Sequence, residues 1–521
     1  MTKSMRVRDR VRSIIETIND GVYEREEAIR LALLVCIARE SIFFLGPPGV
    51  AKSLIARKVK DAFRGARAFE YLMGRFSTPE EIFGPISISK LKNEDTYERI
   101  VDGYLPTADI VFLDEIWKAS PPIQNALLTA LNERLYRNGR RELQLSVKAF
   151  IAAANELPVP GEGLEAFWDR FLVRLCLTGI RSEDRFQAMV QDTRDVFEDR
   201  VPDELKITDS EYSEWQRAID QVRISDDTLR ITAVIRRRLS EENERRNTPE
   251  HRKLFVSDRR WKKIFHLLRA SAFLNGRDQT DAMDCFLIAH CIWDEVSEKE
   301  GIEEIVNSAI RSQGYSSVLE ATAVVEALAQ LKRDVEQTTL QVTEQEEERP
   351  TLVEGEYIRL KDFPDGLQVR IWKGDYDGLP FTGTANIELF FFTDDGTYVR
   401  TEGRNVSRSA FHGGPSVLID GTRFAIEAER QKSTVTLSHA PPAEAVERWN
   451  RTSDALISEC RELLGRITAL KEAEKEEAEA NLFVPRALAE IAFTGLNVAA
   501  KDVARLTVEI EKNRKYYESL G

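Results

Sequence analysis

Cysteines and long hydrophobic runs are both scarce in this 521-residue sequence. The five cysteines are scattered without a Cys-x-x-Cys pair, so we interpret them as reduced core residues and not as a disulfide framework. Cys285 and Cys291 lie near His290, but their apolar neighbours favour a core face over a metal site. No apolar run reaches the about 18 residues of a membrane-spanning helix, and the first residues lack a signal-peptide core. We therefore expect a cytoplasmic protein.

Positive charge is also in deficit, because 74 lysines and arginines stand against 88 aspartates and glutamates. The formal net charge of −14 argues against broad binding of nucleic acid or anionic membranes, although a local basic patch could persist. The length is sufficient for about three or four domains, each with its own core.

The clearest motif is a loop of glycine, proline and small residues at positions 46–53, GPPGVAKS, between an apolar run and a helix-compatible segment. Such a loop can close its backbone N–H groups around a polyphosphate, while Lys52 reaches the outer phosphates and the Ser53 hydroxyl holds Mg²⁺. Ala51 occupies a position usual for glycine, so we expect its backbone to avoid positive φ. The alternative is an ordinary turn between strand and helix. The predicted nucleotide-binding residues here are Gly46, Pro48, Gly49, Val50, Ala51, Lys52, Ser53 and Leu54.

Two further strands end in polar side chains. The apolar run at 110–113 ends in Asp114 and Glu115, and the run at 147–154 ends at Asn155. If the loop binds ATP, Asp114 would order Mg²⁺, Glu115 would polarise the attacking water, and Asn155 could orient that water. Each feature alone also fits a strand that enters a solvated loop, because Asn is a common turn former.

The chain changes character several times. Strands and helices alternate to about residue 180, which predicts a parallel sheet covered by helices, with a hairpin at 85–101 projecting from it. Residues 181–305 are helical in pattern, the acidic run 344–350 reads as a linker or helix end, and 352–438 alternates as an antiparallel β module. Amphipathic helices follow. The predicted domains are 1–190 (nucleotide-binding), 191–305 (helical lid), 306–350 with 441–521 (discontinuous helical) and 351–440 (β docking module).

Together the loop, the acidic strand, Asn155 and the helical region resemble the AAA+ ATPases. Residues 123–134, IQNALLTALNER, are similar to the helix that follows the acidic strand in the MoxR family, and the appended helix–β–helix region resembles its RavA subgroup of regulatory ATPases. The resemblance implies an α/β fold: a P-loop AAA+ αβα core with an all-helical lid, followed by a helical stalk domain interrupted by a small antiparallel β-barrel-like module.

The resemblance also implies roles for single residues. Asn155 matches the family's sensor 1 position. Arg170 matches the arginine finger that one subunit offers to its neighbour's γ-phosphate, with Arg174 as the alternative. Arg259 matches the sensor 2 arginine of the lid, with Arg260 as the alternative.

Tyr23 lies where related ATPases begin the segment that packs on adenine, although a plain core tyrosine is equally compatible. The chain departs from the family at Ala51 and at Trp117-Lys118, where a small polar–basic pair is more usual. Neither departure removes a group that the chemistry needs.

The implied activity is ATP hydrolysis, with ATP or ADP and Mg²⁺ as cofactors and a homo-oligomeric ring, expected to be a hexamer, as the working form. Such ATPases remodel or mature client proteins. MoxR relatives work with a von Willebrand factor A-domain partner, and the RavA-like tail implies docking to an inducible lysine decarboxylase. Two other hypotheses stay open: a nucleic-acid motor, which the net charge of −14 disfavours, and a nucleotide-gated scaffold with little hydrolysis.

Overall fold

The computed structural model describes residues 6–159, 161, 163–245, 253–314, 321–364, 366–409 and 414–520. The chain divides into two compact units. The first unit comprises Met1–Ala321 and Cys460–Arg505, and the second comprises Thr322–Glu459 and Leu506–Gly521. No described helix combines the length and the apolar character needed to cross a membrane.

A parallel sheet covered by helices occupies the early part of the first unit. Its helices are α1 (Val7–Asn19), α2 (Glu26–Ile37), α3 (Lys52–Lys60), α4 (Pro79–Phe83), α5 (Ile88–Glu94), α6 (Pro121–Glu133), α7 (Glu165–Trp168) and α8 (Glu183–Gln191). Its strands are β1 (Ser41–Leu45), β2 (Ala68–Leu72), β3 (Ile110–Asp114), β4 (Leu135–Asn138), β5 (Arg141–Gln144), β6 (Ala149–Ala154) and β7 (Val173–Cys176).

The sheet order β2-β3-β6-β1-β7 confirms the predicted parallel sheet, because every neighbouring pair in it is parallel. Strands β4 and β5 form a separate antiparallel hairpin. Ile42, Phe43 and Phe44 of β1 are fully buried, and β6 is buried along its whole length. Continuous apolar runs of this kind form strands because helices cover both faces of a parallel sheet.

The segment 85–101 is a loop with a helix at its tip and not the predicted hairpin. Its flanks do pair, since Ser87 N donates to Glu98 O and Ile100 N to Pro85 O, both at 2.8 Å. Between them α5 is helical, and the Ser87 hydroxyl caps it by accepting a hydrogen bond from Lys90 N. The hairpin prediction was wrong at the tip because this local capping bond favours a helix.

The predicted all-helical lid is confirmed. It contains α9 (Asp209–Gln221), α10 (Asp226–Arg245), α11 (Asp258–Leu274), a 3₁₀ segment (Asp284–Cys291) and α12 (Lys299–Gln313). On α11 the spaced apolar residues Trp261, Ile264, Leu267 and Leu268 are all buried. Cys291 is also fully buried, and burial raises the pKa of its thiol to about 12.

The second unit contains the predicted antiparallel sheet. Its elements are α13 (Thr322–Thr339), β8 (Leu340–Pro350), β9 (Leu352–Val353), β10 (Tyr357–Arg359), β11 (Gln368–Trp372), α14 (Lys373–Gly378), β12 (Ala385–Phe392), β13 (Tyr398–Ser409), β14 (Ser416–Ile419), β15 (Thr422–Ala425) and β16 (Ala428–Ser438). Strands β9 to β15 form one seven-stranded sheet in which each strand pairs with the next along the chain. The sheet curls back on itself, because Lys361 N donates to Ala425 O at 2.7 Å and Glu427 N to Arg359 O at 3.0 Å.

The acidic run 344–350 is part of a strand and not the predicted linker or helix end. Strand β8 pairs with β16 along its full length, from Leu340 opposite Ser438 to Pro350 opposite Ala428. Main-chain pairing needs no alternating apolar pattern, so a charged run can form a strand once a distant partner strand is available.

After β16 the described residues form the α-helices α15 (Ala443–Glu479), α16 (Ala489–Ala492) and α17 (Thr494–Glu518), with a 3₁₀ turn (Arg486–Leu488) before α16. Within the second unit the long helices contact each other, as shown by the Trp449 and Tyr517 rings at 5.2 Å and the Lys332 ammonium 2.8 Å from Glu509 Oε2. Residues 460–505 group with the first unit, whereas the sequence suggested one helical domain for 306–350 and 441–521.

Candidate active site

The loop at residues 46–53 joins the end of β1 to the start of α3, so its backbone N–H groups lie at a helix N-terminus. Gly46 donates its N–H to Ala154 O at 3.1 Å. A Cβ at this position would lie 2.4 Å from Leu177 O, so only glycine fits without a shift of the backbone. The close approach of these strand ends fixes where the loop begins.

Ala51 adopts a left-handed conformation with φ 65° and ψ 27°, so the expectation that it avoids positive φ was wrong. Gly49 also has positive φ, at 82°. The turn into α3 requires this geometry, and alanine is the smallest side chain that can tolerate it, at a cost of roughly 1–2 kcal/mol. Consecutive turns of this kind direct backbone N–H groups to one side, which is the geometry of an anion cradle.

Hydrogen bonds join three of the predicted site residues: Lys52 of the nucleotide-binding loop and the predicted catalytic residues Asn155 and Glu115. Lys52 Nζ donates to Asn155 Oδ1 at 2.8 Å and to Gly46 O at 2.7 Å. Asn155 Nδ2 in turn donates to Glu115 Oε1 at 2.6 Å. The ends of β1, β3 and β6 meet at one edge of the sheet, and therefore bring the lysine, the amide and the carboxylate together.

Lys52 is only 6% exposed, and burial lowers the pKa of its ammonium, while the carboxylates of Asp114 and Glu115 act in the opposite direction. Asp114 Oδ1 accepts a hydrogen bond from Glu115 N at 3.0 Å. The Asp114 carboxylate and the Ser53 hydroxyl are oxygen ligands of the kind that Mg²⁺ uses alongside several waters and phosphate oxygens. The donor set therefore fits the predicted ion.

A cavity of about 550 Å³ lies beside the loop. Tyr23 lines it, and its hydroxyl donates to Asp192 Oδ2 at 2.9 Å, a hydrogen bond that raises the pKa of the tyrosine. Phe186 and Met189 of α8 add apolar surface. The wall combines apolar side chains with charged ones such as Asp192 and Arg194, and its position next to a phosphate cradle suits a nucleoside base. The predicted loop residues in its wall are Gly49, Val50, Ala51 and Leu54.

Arg25 is a site residue that the sequence did not reveal. Its side chain is buried, and it donates to Val50 O at 2.9 Å and to Thr178 O at 2.7 Å. It therefore holds the phosphate-binding loop against the segment that follows β7. The only signal was its position two residues after Tyr23, and a charged residue there would ordinarily be read as exposed.

Arg170 lies at the edge of the sheet where β1 begins, opposite the edge that carries the phosphate-binding loop. Its carbonyl accepts a hydrogen bond at 2.6 Å from the hydroxyl of Ser41, the first residue of β1, whereas the phosphate-binding loop follows the last residue of that strand. The guanidinium is 3.4 Å from Asp169 Oδ2, and its Nε has no hydrogen-bond partner among the residues described. Burial, followed by the nearby charge of Arg259, lowers the pKa of Arg170.

Arg174 is buried and engaged. It donates to Trp293 O and to Asp294 Oδ1, the latter at 2.6 Å, and it stacks on Trp168 at 3.9 Å from the ring centroid. Burial lowers its pKa to about 9. These contacts join β7 to the lid, and they leave the guanidinium no path to solvent.

The two candidate arginines of the lid, Arg259 and Arg260, also differ in how deeply their side chains are buried. Arg260 is 4% exposed and donates to Cys291 O at 2.6 Å and to Phe171 O at 2.9 Å. Arg259 has a side chain that is 47% exposed and an ion pair with Asp169 Oδ2 at 3.0 Å. Arg259 therefore lies beside Arg170, at the edge away from this subunit's own phosphate-binding loop.

Comparison with known proteins agrees with this geometry. Residues 9–217 match a family described as the MoxR domain in the MoxR-vWA-beta-propeller ternary systems, and residues 227–306 match an AAA lid domain. An uncharacterized protein of Methanocaldococcus jannaschii is 34% identical over 319 residues, which are 61% of this chain and 79% of the relative. The chain belongs to the MoxR family of AAA+ ATPases.

A second uncharacterized protein of the same archaeon is 38% identical over 285 residues, 55% of this chain and 72% of that relative. A crystal structure of a candidate ATPase from Cytophaga hutchinsonii matches 58% of this chain and 94% of its own chain, at 19% identity and with a TM-score of 0.46. Family membership supports ATPase activity and nucleotide binding in general terms. The RavA resemblance stays a prediction, since the matched families end at residue 306.

Proposed function

We propose that this chain is a Mg²⁺-dependent ATPase that assembles into a ring and hydrolyses ATP between adjacent subunits. The observation that carries the proposal is the separation of two incomplete half-sites. Lys52, Asn155 and Glu115 are joined at one edge of the sheet, and Arg170 lies at the other. A γ-phosphate bound at the first edge would meet Arg170 only if a second copy supplied it.

Each residue has a proposed role that its chemistry supports. Lys52 and the loop N–H groups bind the phosphates, and Ser53 with Asp114 would hold the magnesium ion, whose charge offsets that of the phosphates. Glu115 accepts the proton of the attacking water, and Asn155 orients that water. Tyr23 would face the base from the neighbouring cavity.

The difference in burial favours Arg170 over Arg174 as the arginine finger. It likewise favours Arg259 over Arg260 as the sensor 2 arginine. Arg174 and Arg260 are nearly inaccessible, whereas Arg259 is half-exposed. Because Arg170 and Arg259 both contact Asp169, we infer that they act together on the neighbour's nucleotide. Loss of the γ-phosphate would release both and allow α11, and with it the lid, to move.

We further propose that the ring remodels or matures client proteins. The matched family is described as part of MoxR-vWA-beta-propeller systems, which supports a partner with a von Willebrand factor A domain. The hexamer and the docking of an inducible lysine decarboxylase on the 351–440 module rest on sequence resemblance alone. A pull-down with Glu115→Gln held in ATP would identify the protein that stays bound.

Substitution of Glu115 by glutamine tests the hydrolytic assignment. We expect turnover to fall at least about 100-fold, because the amide cannot accept the water's proton. ATP affinity, measured by fluorescence titration, should stay within about threefold because glutamine keeps the side-chain shape. Glu133→Gln, at an exposed position on α6, is the matched control.

Unchanged turnover in Glu115→Gln would favour the nucleotide-gated scaffold. Stimulation of the native ATPase by DNA, lost with rising salt, would favour the nucleic-acid motor.

A further inference from the structure

Lys118 lies at the end of the 3₁₀ turn Ile116–Lys118, immediately after Glu115. Its N–H donates to Glu115 O at 2.9 Å, and its side-chain ammonium is 3.2 Å from Glu115 Oε2. The other carboxylate oxygen, Oε1, accepts the hydrogen bond from Asn155 at 2.6 Å. The carboxylate of Glu115 is therefore restrained through both oxygens, by two different elements.

The turn that carries Lys118 is itself anchored. Trp117 Nε1 donates to Glu156 O at 2.9 Å, next to Asn155, and the Trp117 ring lies 5.2 Å from Phe43 and 5.8 Å from Trp168. Glu115 has left-handed backbone angles, φ 52° and ψ 42°, which are uncommon for a residue with a Cβ. Such a conformation persists only where the surroundings hold it.

We propose that Lys118 is a positioning residue for Glu115. An ionised carboxylate has about four acceptor sites, so the hydrogen bond from Asn155 and the ion pair with Lys118 restrain its orientation and still leave capacity for the water's proton. As the water oxygen bonds to the γ-phosphorus, its proton passes to Glu115. The bond to the bridging oxygen breaks, and ADP leaves with the electron pair.

The expected effect is moderate, because the side chain of Lys118 is 49% exposed and that of Glu115 is 15% exposed. A pair so open to water contributes up to about 1 kcal/mol, which is about fivefold in rate. Lys118→Met should therefore lower kcat about fivefold and leave KM and ATP affinity within about twofold. Lys118→Arg, which keeps the charge, should restore kcat to within about twofold.

A double-mutant cycle separates positioning through Glu115 from other causes. In the Glu115→Gln background, single-turnover hydrolysis of radiolabelled ATP should be no slower when Lys118→Met is added, because the carboxylate that Lys118 holds is already gone. Lys501→Met, an exposed lysine on α17, is the matched control and should leave every rate within about twofold.

The proposal rests on the proposed function, yet the two can fail separately. If Glu115→Gln does not slow turnover, the hydrolytic role of Glu115 is wrong. If Glu115→Gln does slow turnover but Lys118→Met keeps native kcat, only the role of Lys118 is wrong. A fivefold loss that persists in the Glu115→Gln background, or a loss that Lys118→Arg does not reverse, would equally overturn it.

Discussion

At the scale of single residues, small steric differences shape the phosphate-binding loop. Gly46 has no room for a Cβ, and Ala51 holds a backbone conformation that glycine would adopt more readily. Burial likewise separates the arginines, since Arg174 is enclosed and Arg259 is half-exposed. Residue type alone predicts the same chemistry for both arginines, and only the surroundings distinguish them.

Gly46→Ala tests the steric account of the loop. The added Cβ would meet Leu177 O at 2.4 Å, so either β1 or the segment after β7 must shift. We expect a destabilisation of about 1–3 kcal/mol and at least about tenfold weaker ATP binding, measured by thermal unfolding and by nucleotide titration. Gly465→Ala on α15 is the control, because its Cβ would meet nothing within 4 Å. Native affinity in Gly46→Ala would show that the loop relaxes freely.

At the scale of elements, residues 480–484, which follow α15, pack against the lid. Leu482 N donates to Asn275 Oδ1 at 2.9 Å, and Leu482, Phe483 and Val484 are almost completely buried. Ala480 O accepts a hydrogen bond from Arg12 of α1 at 3.0 Å. Residues 480–484 therefore contact both α1 and the lid, and they belong to the first unit.

Asn275→Ala should loosen this segment. The substitution leaves the buried N–H of Leu482 without its acceptor, at a cost of about 1–3 kcal/mol. Hydrogen–deuterium exchange in the peptide covering residues 482–484 should accelerate about 5- to 150-fold, provided that local opening governs exchange. Asn93→Ala, exposed on α5, should leave that peptide unchanged. Equal exchange in both variants would mean that apolar burial alone holds the segment.

At the scale of the whole molecule, the two edges of the sheet define the proposed assembly. Arg170→Ala and Lys52→Ala should each abolish ATP turnover, whereas rings mixed from both variants should regain activity. With random mixing at equal ratio, about a quarter of the interfaces would pair an intact loop with an intact arginine. Turnover measured across mixing ratios should therefore peak near the middle.

Mixing Lys52→Ala with Glu115→Gln is the control, because both substitutions damage the same half-site and no interface is restored. Absence of recovery at every ratio of Arg170→Ala to Lys52→Ala would contradict action in trans. A truncation that deletes residues 330–521 cannot test whether ATPase activity is independent of the C-terminal region. It would also remove residues 460–505, which belong to the first unit.

Much of the fold was predictable because its signals are local. The loop at 46–53, the acidic pair at the end of β3 and the alternation of 352–438 depend on residues near each other in sequence. Each lies where it was expected, although Ala51 in the loop has the positive φ that was not expected. The local sequence pattern gave a wrong prediction at α5, because a serine cap stabilises a helix where the alternating residues predicted a strand. It also gave a wrong prediction at β8, because the partner strand β16 lies about 80 residues away in the sequence.

Residue types and their local spacing supply the chemical groups: a phosphate cradle, a lysine, two carboxylates, an amide and several arginines. Which of these groups come into contact depends on how the chain folds in three dimensions. The fold brought Asn155 to Glu115, set Arg25 behind the loop and turned Arg174 inwards while Arg259 stayed half-exposed. Such pairings depend on burial and on contacts between distant segments, which no local pattern of residues records.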